Sequence, residues 1–437
     1  MEALRTAVVK ITNHSIPFDH RRPYNRSLES KKGVGTGFVM RELQGSGGKK
    51  MKILTAYHVV DFSEQLLVHL CDSGTPLKGK LVSYSQTLDS AIVEVESEVP
   101  KWMTPLEVGD SDSLEPNTIV QAAGHPLALG FTVTTGYVSG RIATPDRIQI
   151  DAAINGGNSG GPLLRDNRVV GIVVSGYEGG VQNTNYATPI REVLLSGSGD
   201  IVINLTLSGE TSNLILDSYG SASGSYVSYV NPRSALSQKA GLKEGDILTR
   251  LDGHAVDSRG RVNVPWWKYD ALPVPTIFGR KTLKDTYEIE FISESSGKVV
   301  KKTLPCEKDL NVFRDYKLET EDIPCVTMGG VVVQPLSKNL LLCVNEIKKR
   351  LMYIFERPHL HTDSVLVVTY VKADSPFIQM SCLEVGDVII SVNGVYVTNV
   401  SEYEEQFKKA REVVVLKTYN GMVACARAKD LKTVSRA

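Results

Sequence analysis

The chain has 437 residues, too many for one ordinary core, so two to four domains are expected. Lysine plus arginine and aspartate plus glutamate number 49 each, which gives no electrostatic case for a nucleic-acid or membrane-surface protein. No apolar run reaches membrane-spanning length, and no P-loop or metal-ligand spacing occurs, so neither membrane, nucleotide, cofactor nor metal is expected. The paired basic residues Arg21–Arg22, Lys31–Lys32 and Lys49–Lys50 read as solvated loop charge.

The first stretch, MEALRTAVVKITNH, lacks a long apolar core and a small-residue cleavage site, and passes at once into a strand-like AVVKI. That predicts an intracellular chain, cytoplasmic or nuclear. Cys71, Cys306, Cys325, Cys343, Cys382 and Cys425 are scattered, without CxxC spacing. They read as small core residues in a reducing compartment. Through about residue 200, short apolar runs recur between turn signals: VGTGFVM, KILTAYHVV, DSAIVEV, TIVQAAG, FTVTTGYVSG, RIQIDAA and RVVGIVVSG. Such spacing predicts a barrel or sandwich of short strands. The Gly/Ser-rich LSGSGD, residues 195–200, reads as the first boundary.

An internal repeat follows. SYVNPRSALSQKAGLKEGDILTRLDG, from Ser228, aligns without a gap to TYVKADSPFIQMSCLEVGDVIISVNG, from Thr369. Tyr229 pairs with Tyr370, Val230 with Val371, Leu242 with Leu383, and Gly245-Asp246 with Gly386-Asp387. Each copy reads strand, short helix or turn, strand, then a tight turn at Asp-Gly or Asn-Gly. The copies predict two related small domains, 201–308 and 309–437, joined by the charged KDLNVFRDYKLETEDIP region. A helix is expected over 401–412, with Ser401 as N-cap and Glu404 three residues on.

The stretch DAAINGGNSGGPLL, residues 151–164, sets Ser159 among four glycines. Gly, Asn and Ser make ordinary turns. A nucleophile needs more: a base, an orienting acid, and N–H groups free to meet an oxyanion. His58 ends the strand-like KILTAYHVV, and Asp89 opens DSAIVEV. Each residue alone is a weak signal.

Together, LTAYHVV, LDSAIVEV and GNSGGPLL resemble the chymotrypsin-fold serine peptidases, in their order of His, Asp and Ser. Asn158 before the serine, DAAIN, and GHPLALGFTVTTGYVSG (124–140) resemble the HtrA/Deg branch. The resemblance implies a mainly β fold: a chymotrypsin-like double β-barrel over 1–200, followed by two PDZ-like α+β domains. It implies that His58 takes the proton of Ser159, that Asp89 orients His58, and that the N–H groups of the Gly157, Asn158 and Ser159 turn form the oxyanion hole. It also places Ala153, six positions before Ser159, with Ile154 at the base of the specificity pocket. Ser175, Gly176 and Tyr177 become the edge that pairs with substrate backbone. Neither Ala153 nor Ile154 carries charge, so cleavage after small or medium apolar residues is expected.

AGLKEGDILTRLDG resembles HtrA-type PDZ domains, which implies a C-terminal peptide ligand for the first copy, with SGSYVSYV (223–230) as its groove edge. SVLVVTYV (364–371) lacks a Gly-rich loop before it, which predicts a degenerate, structural second copy. The segments VPWWKYDALPVPTIFGRKTL, IPCVTMGGVVVQPLSKNLL and ITNHSIPFDHRRPY resemble plant and organellar Deg proteases, implying a homotrimer or hexamer. Trp266 and Trp267 read as buried or interface anchors. Unfolded polypeptides are the implied substrate. The rival readings are a PDZ-based binding, chaperone or scaffold protein with an idle protease fold, and a dedicated processing protease.

Overall fold

In the computed structural model, the opening run of short strands closes on itself twice. The structure describes residues 2–16, 19–24, 30–44, 49–71, 74–126, 130–143, 146–176, 185–195, 201–308, 310, 313, 316, 322–356, 364–379 and 383–434. By their contacts they form two compact units, one of residues 1–15 with 30–310, the other of 16–29 with 311–437. The expected boundary at 195–200 lies outside the described residues except for Leu195, and so does most of the expected charged connector.

A short helix α1 (Glu2–Ala7) leads into β1 (Val8–Ser15) and β2 (Lys31–Phe38), and the first barrel continues through β3 (Met51–Thr55), helix α2 (Tyr57–Val60), β4 (Ser63–His69), β5 (Leu77–Ser85) and β6 (Ser90–Val95). Its strands close in the order β1-β2-β3-β6-β5-β4. The period of two is plain in β6, where Ala91, Val93 and Val95 are buried and Ile92 and Glu94 are less so. The second barrel uses β7 (Glu107–Val108), β8 (Ile119–Gly124), β9 (Thr132–Ala143), β10 (Asp146–Ile150), β11 (Pro162–Arg165), β12 (Arg168–Gly176) and β13 (Asn185–Pro189). Six of these run β11-β8-β9-β10-β13-β12 and return to β11, while β7 adds parallel to β12. The first barrel's core, with Ile11, Phe38, Ile53 and Val93 fully buried, continues into Ala123, Leu164, Ile172 and Val174 of the second. The expected mainly β, double-barrel fold is present.

After helix α3 (Ile190–Leu195) the first unit carries a further sheet, ordered Leu205–Leu207, Ser225–Val230, Ile247–Leu251, Thr286–Ile292, Val299–Pro305. The Ser225–Val230 strand therefore lies inside the sheet, bonded on both sides, and is not the expected groove edge. The sheet ends in Leu205–Leu207, N-terminal to the repeat, on one side and in Val299–Pro305 on the other. Trp267 is buried and Trp266 half-buried, both in the Val264–Phe278 insertion. Arg280 stacks over Trp266 at 3.5 Å and bonds Asp112 through both terminal nitrogens, at 2.8 and 2.7 Å. Its Nε sits 2.6 Å from Glu192, a charge contact off the hydrogen-bond line. Burial pushes the Glu192 carboxyl up to about 7, against the pull of Arg280. This aromatic and charged cluster braces the second barrel from the adjoining module.

In the second unit the sheet runs Val326–Met328, Val331–Pro335, Leu366–Val371, Val388–Val392, Val413–Thr418, Val423–Arg427. The expected late helix spans Val400–Lys409, and its cap is Asn399 rather than Ser401. The Asn399 side chain accepts from the Glu402 N–H at 2.9 Å. Residues 19–22 lie against this sheet: buried Gln334 donates to the His20 and Arg21 carbonyls, and Thr369 donates to that of Arg21 at 2.8 Å. Among the five described cysteines, none of which forms a disulfide, Cys306 is buried, Cys71 and Cys325 are half-buried, and Cys343 and Cys425 are exposed. The expectation that all are small core residues is corrected accordingly, and Cys382 lies outside the described residues.

Candidate active site

The three sequence-predicted residues come from three different local devices. Helix α2 is one turn long, and its Tyr57, Val59 and Val60 face the core. His58 is left as the one exposed residue of that turn. The apolar pattern of AYHVV thus aims an imidazole outward from a fixed base.

Asp89 ends a turn in which its N–H bonds the Gln86 carbonyl at 3.2 Å, and it holds φ at +50°. Aspartate tolerates this left-handed conformation better than most residues. The turn is tied to the second barrel from both sides. Thr188 donates to the Leu88 carbonyl at 2.7 Å, and Arg147 donates to the Thr87 carbonyl at 3.0 Å. The outcome is a two-point contact: Asp89 Oδ2 meets His58 Nδ1 at 2.7 Å, and Oδ1 accepts from the His58 backbone N–H at 2.9 Å. The His58 imidazole is held above its ordinary value. Burial, the largest single influence, pulls it down, but the hydrogen bond and charge of Asp89, with the charge of Asp61, outweigh it.

Ser159 precedes β11 on the glycine turn. Gly157 sits at φ +104°, a conformation that needs glycine. Gly160 serves close approach, since a Cβ there would lie 2.1 Å from the Thr36 carbonyl oxygen. Among the described residues, the N–H groups of Gly157 and Ser159 have no hydrogen-bond partner. Two adjacent donors are thus left available on one turn. Asn158, grouped with them from the sequence, differs: its N–H bonds the Asn155 carbonyl at 3.0 Å and its side chain is buried. It is a packing residue of the turn and not a third donor. The Ser159 hydroxyl donates to the Val174 carbonyl at 3.0 Å, while the ring contact of His58 is to Asp89.

The expected pocket is only partly described. Ala153 is exposed, and its carbonyl accepts from Thr134 at 3.0 Å, while half-buried Ile154 packs on the second barrel's core. Ser175 and Gly176 end β12, and Tyr177 lies outside the described residues. Two contributors were missed in the sequence: Thr36 on β2, whose hydroxyl donates to the Gly157 carbonyl, and Val174, which holds the serine hydroxyl. A polar residue inside the glycine-rich VGTGFVM was the available signal for Thr36.

Residues 35–172, which contain all three side chains, match the model of a trypsin-like peptidase domain, and residues 348–418 match a PDZ domain. A probable periplasmic serine protease do/HhoA-like of Haemophilus influenzae is 34% identical over 53% of this chain and 52% of its own length. The periplasmic serine endoprotease DegP of Salmonella typhimurium is 27% identical over 89% of this chain and 74% of its own. The chain is similar to HtrA/DegP serine endoproteases. It spans about half the length of the HhoA-like relative it matches. The HtrA-type protease AlgW with a tripeptide shares the fold, with TM-score 0.51 over 70% of this chain and 94% of that chain, at 23% identity.

These HtrA/DegP relatives overturn one expectation. They are named as periplasmic, and so point to an extracytoplasmic location instead of the cytoplasm or nucleus. The fold and the active-site motifs are indifferent to compartment, and the residues of the first strand carry no information about it.

Proposed function

We propose that this chain is an ATP-independent serine endopeptidase of the HtrA/Deg type, acting on unfolded or damaged polypeptides. His58 Nε2 takes the Ser159 Oγ proton as Oγ attacks the substrate carbonyl carbon. Asp89 holds the other ring nitrogen and stabilises the imidazolium. The carbonyl oxygen, now negative, accepts from the N–H groups of Gly157 and Ser159. The intermediate collapses, the amine leaves with the proton from His58, and water releases the acyl group by the reverse sequence. The observations that support this are the two-point His58–Asp89 contact, at 2.7 and 2.9 Å, and a serine turn whose Gly157 and Ser159 N–H groups have no partner among the described residues. Ser159 must first leave the Val174 carbonyl, a single side-chain rotation.

Ser159→Ala tests it. Turnover of a loosely folded substrate such as casein should fall on the order of a million-fold, with far-UV circular dichroism unchanged. Digestion by the variant at the wild-type rate would sink the enzyme reading and favour the scaffold or chaperone alternative. At the bond before the cut, uncharged Ala153 and Ile154 favour Val, Ile, Leu, Ala or Thr. A lysine or arginine there would be desolvated without a partner. Mass spectrometry of the fragments reads the preference, and a majority of cuts after basic residues would contradict it.

Separate hydrophobic clusters around Val93, Leu251 and Val392 support three modules near 1–200, 201–308 and 309–437, although residues 201–308 form one compact unit with the barrels and residues 16–29 group with 311–437. A peptide ligand would add to the Leu205–Leu207 edge of the first PDZ-like module. AlgW is described with a tripeptide and a decapeptide, which supports peptide recognition by this family's architecture. In the second module the matching edge is taken. Leu205 and Thr206 pair with Val230 and Tyr229, as Val331 and Val332 pair with Val371 and Tyr370, so the two strands are equivalent. Val331–Pro335 already pairs on its other side with Val326–Met328. That self-pairing supports a structural role for the second module. The trimer or hexamer implied by the resemblance is read directly from the mass in light scattering.

A further inference from the structure

We propose that Thr36 is the positioning residue of the oxyanion turn, holding the two N–H donors in register by gripping alternate peptide groups around Ser159. The proposal rests on the catalytic role given to Ser159 above.

Thr36 is fully buried on β2, in the first barrel, yet it reaches across to the serine turn of the second. Its hydroxyl donates to the Gly157 carbonyl at 2.6 Å, and its backbone N–H donates to the Ser159 carbonyl at 2.9 Å. The direction of the first bond is fixed. The His125 backbone N–H, which can only donate, points at the same hydroxyl oxygen at 3.0 Å, so the single hydroxyl proton goes to Gly157. The Thr36 carbonyl in turn accepts from Thr55 Oγ1 at 2.7 Å, tying the clamp to the strand that leads into His58.

Each gripped peptide is fixed at both ends. In the 157–158 peptide the oxygen is held by Thr36 and the N–H by the Asn155 carbonyl at 3.0 Å. In the 159–160 peptide the oxygen is held by the Thr36 N–H and the Gly160 N–H by the Val173 carbonyl at 2.7 Å. Between them lies the 158–159 peptide, whose N–H is one donor, and just before them the 156–157 peptide, whose N–H is the other. The Ser159 donor is flanked on both sides by a gripped peptide and the Gly157 donor on one, so loosening the Thr36 bonds loosens the turn that aims both. Thr36 touches no reacting atom, so its effect passes through the turn.

The test uses the full chain carrying Thr36→Val, which keeps shape and backbone N–H but removes the hydroxyl proton, and Thr36→Ser, which restores it. Thr36→Val should lower kcat about tenfold to a hundredfold with KM nearly unchanged, the scale of a small misplacement of catalytic groups. The rate of fluorophosphonate labelling of Ser159 should fall in parallel, because that reaction uses the same donors. Thr36→Ser should return both to within about threefold of wild type. If Thr36→Val does not fold, Thr36→Cys replaces it, and its weak thiol donor should cost at least fivefold in kcat. Wild-type kcat in either folded variant, or loss of kcat that serine does not rescue, would overturn the proposal. Should Ser159→Ala itself retain activity, the catalytic reading fails first; with Ser159→Ala inactive and Thr36→Val fully active, only the clamp fails.

Discussion

The two barrels bring unequal parts to the active site. The first supplies His58 and Asp89 already joined at two points, with the aspartate turn locked by Thr188 and Arg147. The second supplies a serine whose hydroxyl donates to the Val174 carbonyl, on a turn where two N–H groups have no partner among the described residues. The difference follows from what each part must do. A base and its orienting acid work best when they do not move, whereas an oxyanion hole stays open until charge arrives. A serine hydroxyl near such a hole takes the nearest acceptor in the meantime.

The largest effect expected from breaking this comparison is on the preset half. Asp89→Asn keeps the shape of the contact but presents the wrong tautomer of His58, and should lower kcat about 10⁴-fold. Steady-state cleavage of an unfolded substrate reads it. A fall of less than tenfold would mean that the pair serves structure alone.

The second effect tests how far the serine half depends on its surroundings. Arg280→Met removes the cation shared by Asp112 and Glu192 at the second barrel; Asp112 keeps Arg191 at 3.2 Å, so the loss falls on buried Glu192. Breaking a buried pair in this way costs about 3–5 kcal/mol. Calorimetry should show a Tm lower by roughly 5–10 °C for the first unit. An unchanged Tm would show that the second barrel needs no brace.

A smaller effect lies in the pH profile. His58 must be neutral to accept the serine proton, so activity falls on the acid side of its titration. Since Asp89 holds it above ~6.5, the acid limb of kcat/KM should lie above that value, and Asp89→Asn should move it down. The stability contribution has the opposite sense. It is fully present below ~6.5, where both states are protonated, and is lost as pH rises through the folded value. A wild-type limb below pH 6.5 would contradict the pairing.

The candidate site was read from local motifs. LTAYH, LDSAIVEV and GNSGG each encode a backbone device, and of the three residues they nominate the structure joins His58 to Asp89. The parts missed are those set by long-range pairing. Thr36 acts over 121 residues, through a strand with no motif of its own. The groove edge was misplaced because the repeat shows that Ser225–Val230 and Leu366–Val371 correspond, but not which strands flank them. The flanking strands precede the aligned segments and share no pattern. Asn158 carried family resemblance correctly, yet its N–H turned inward to Asn155, a choice of peptide orientation that no residue type dictates.

The central claim is that Ser159 becomes the attacking nucleophile when His58, oriented by Asp89, takes its proton. Labelling with a fluorophosphonate, followed by peptide mass spectrometry, tests it most directly. The account predicts a single adduct on Ser159, absent from Ser159→Ala and formed far more slowly in Asp89→Asn. Protein that still cleaves its substrate after saturating treatment, with Ser159 unlabelled, would contradict it.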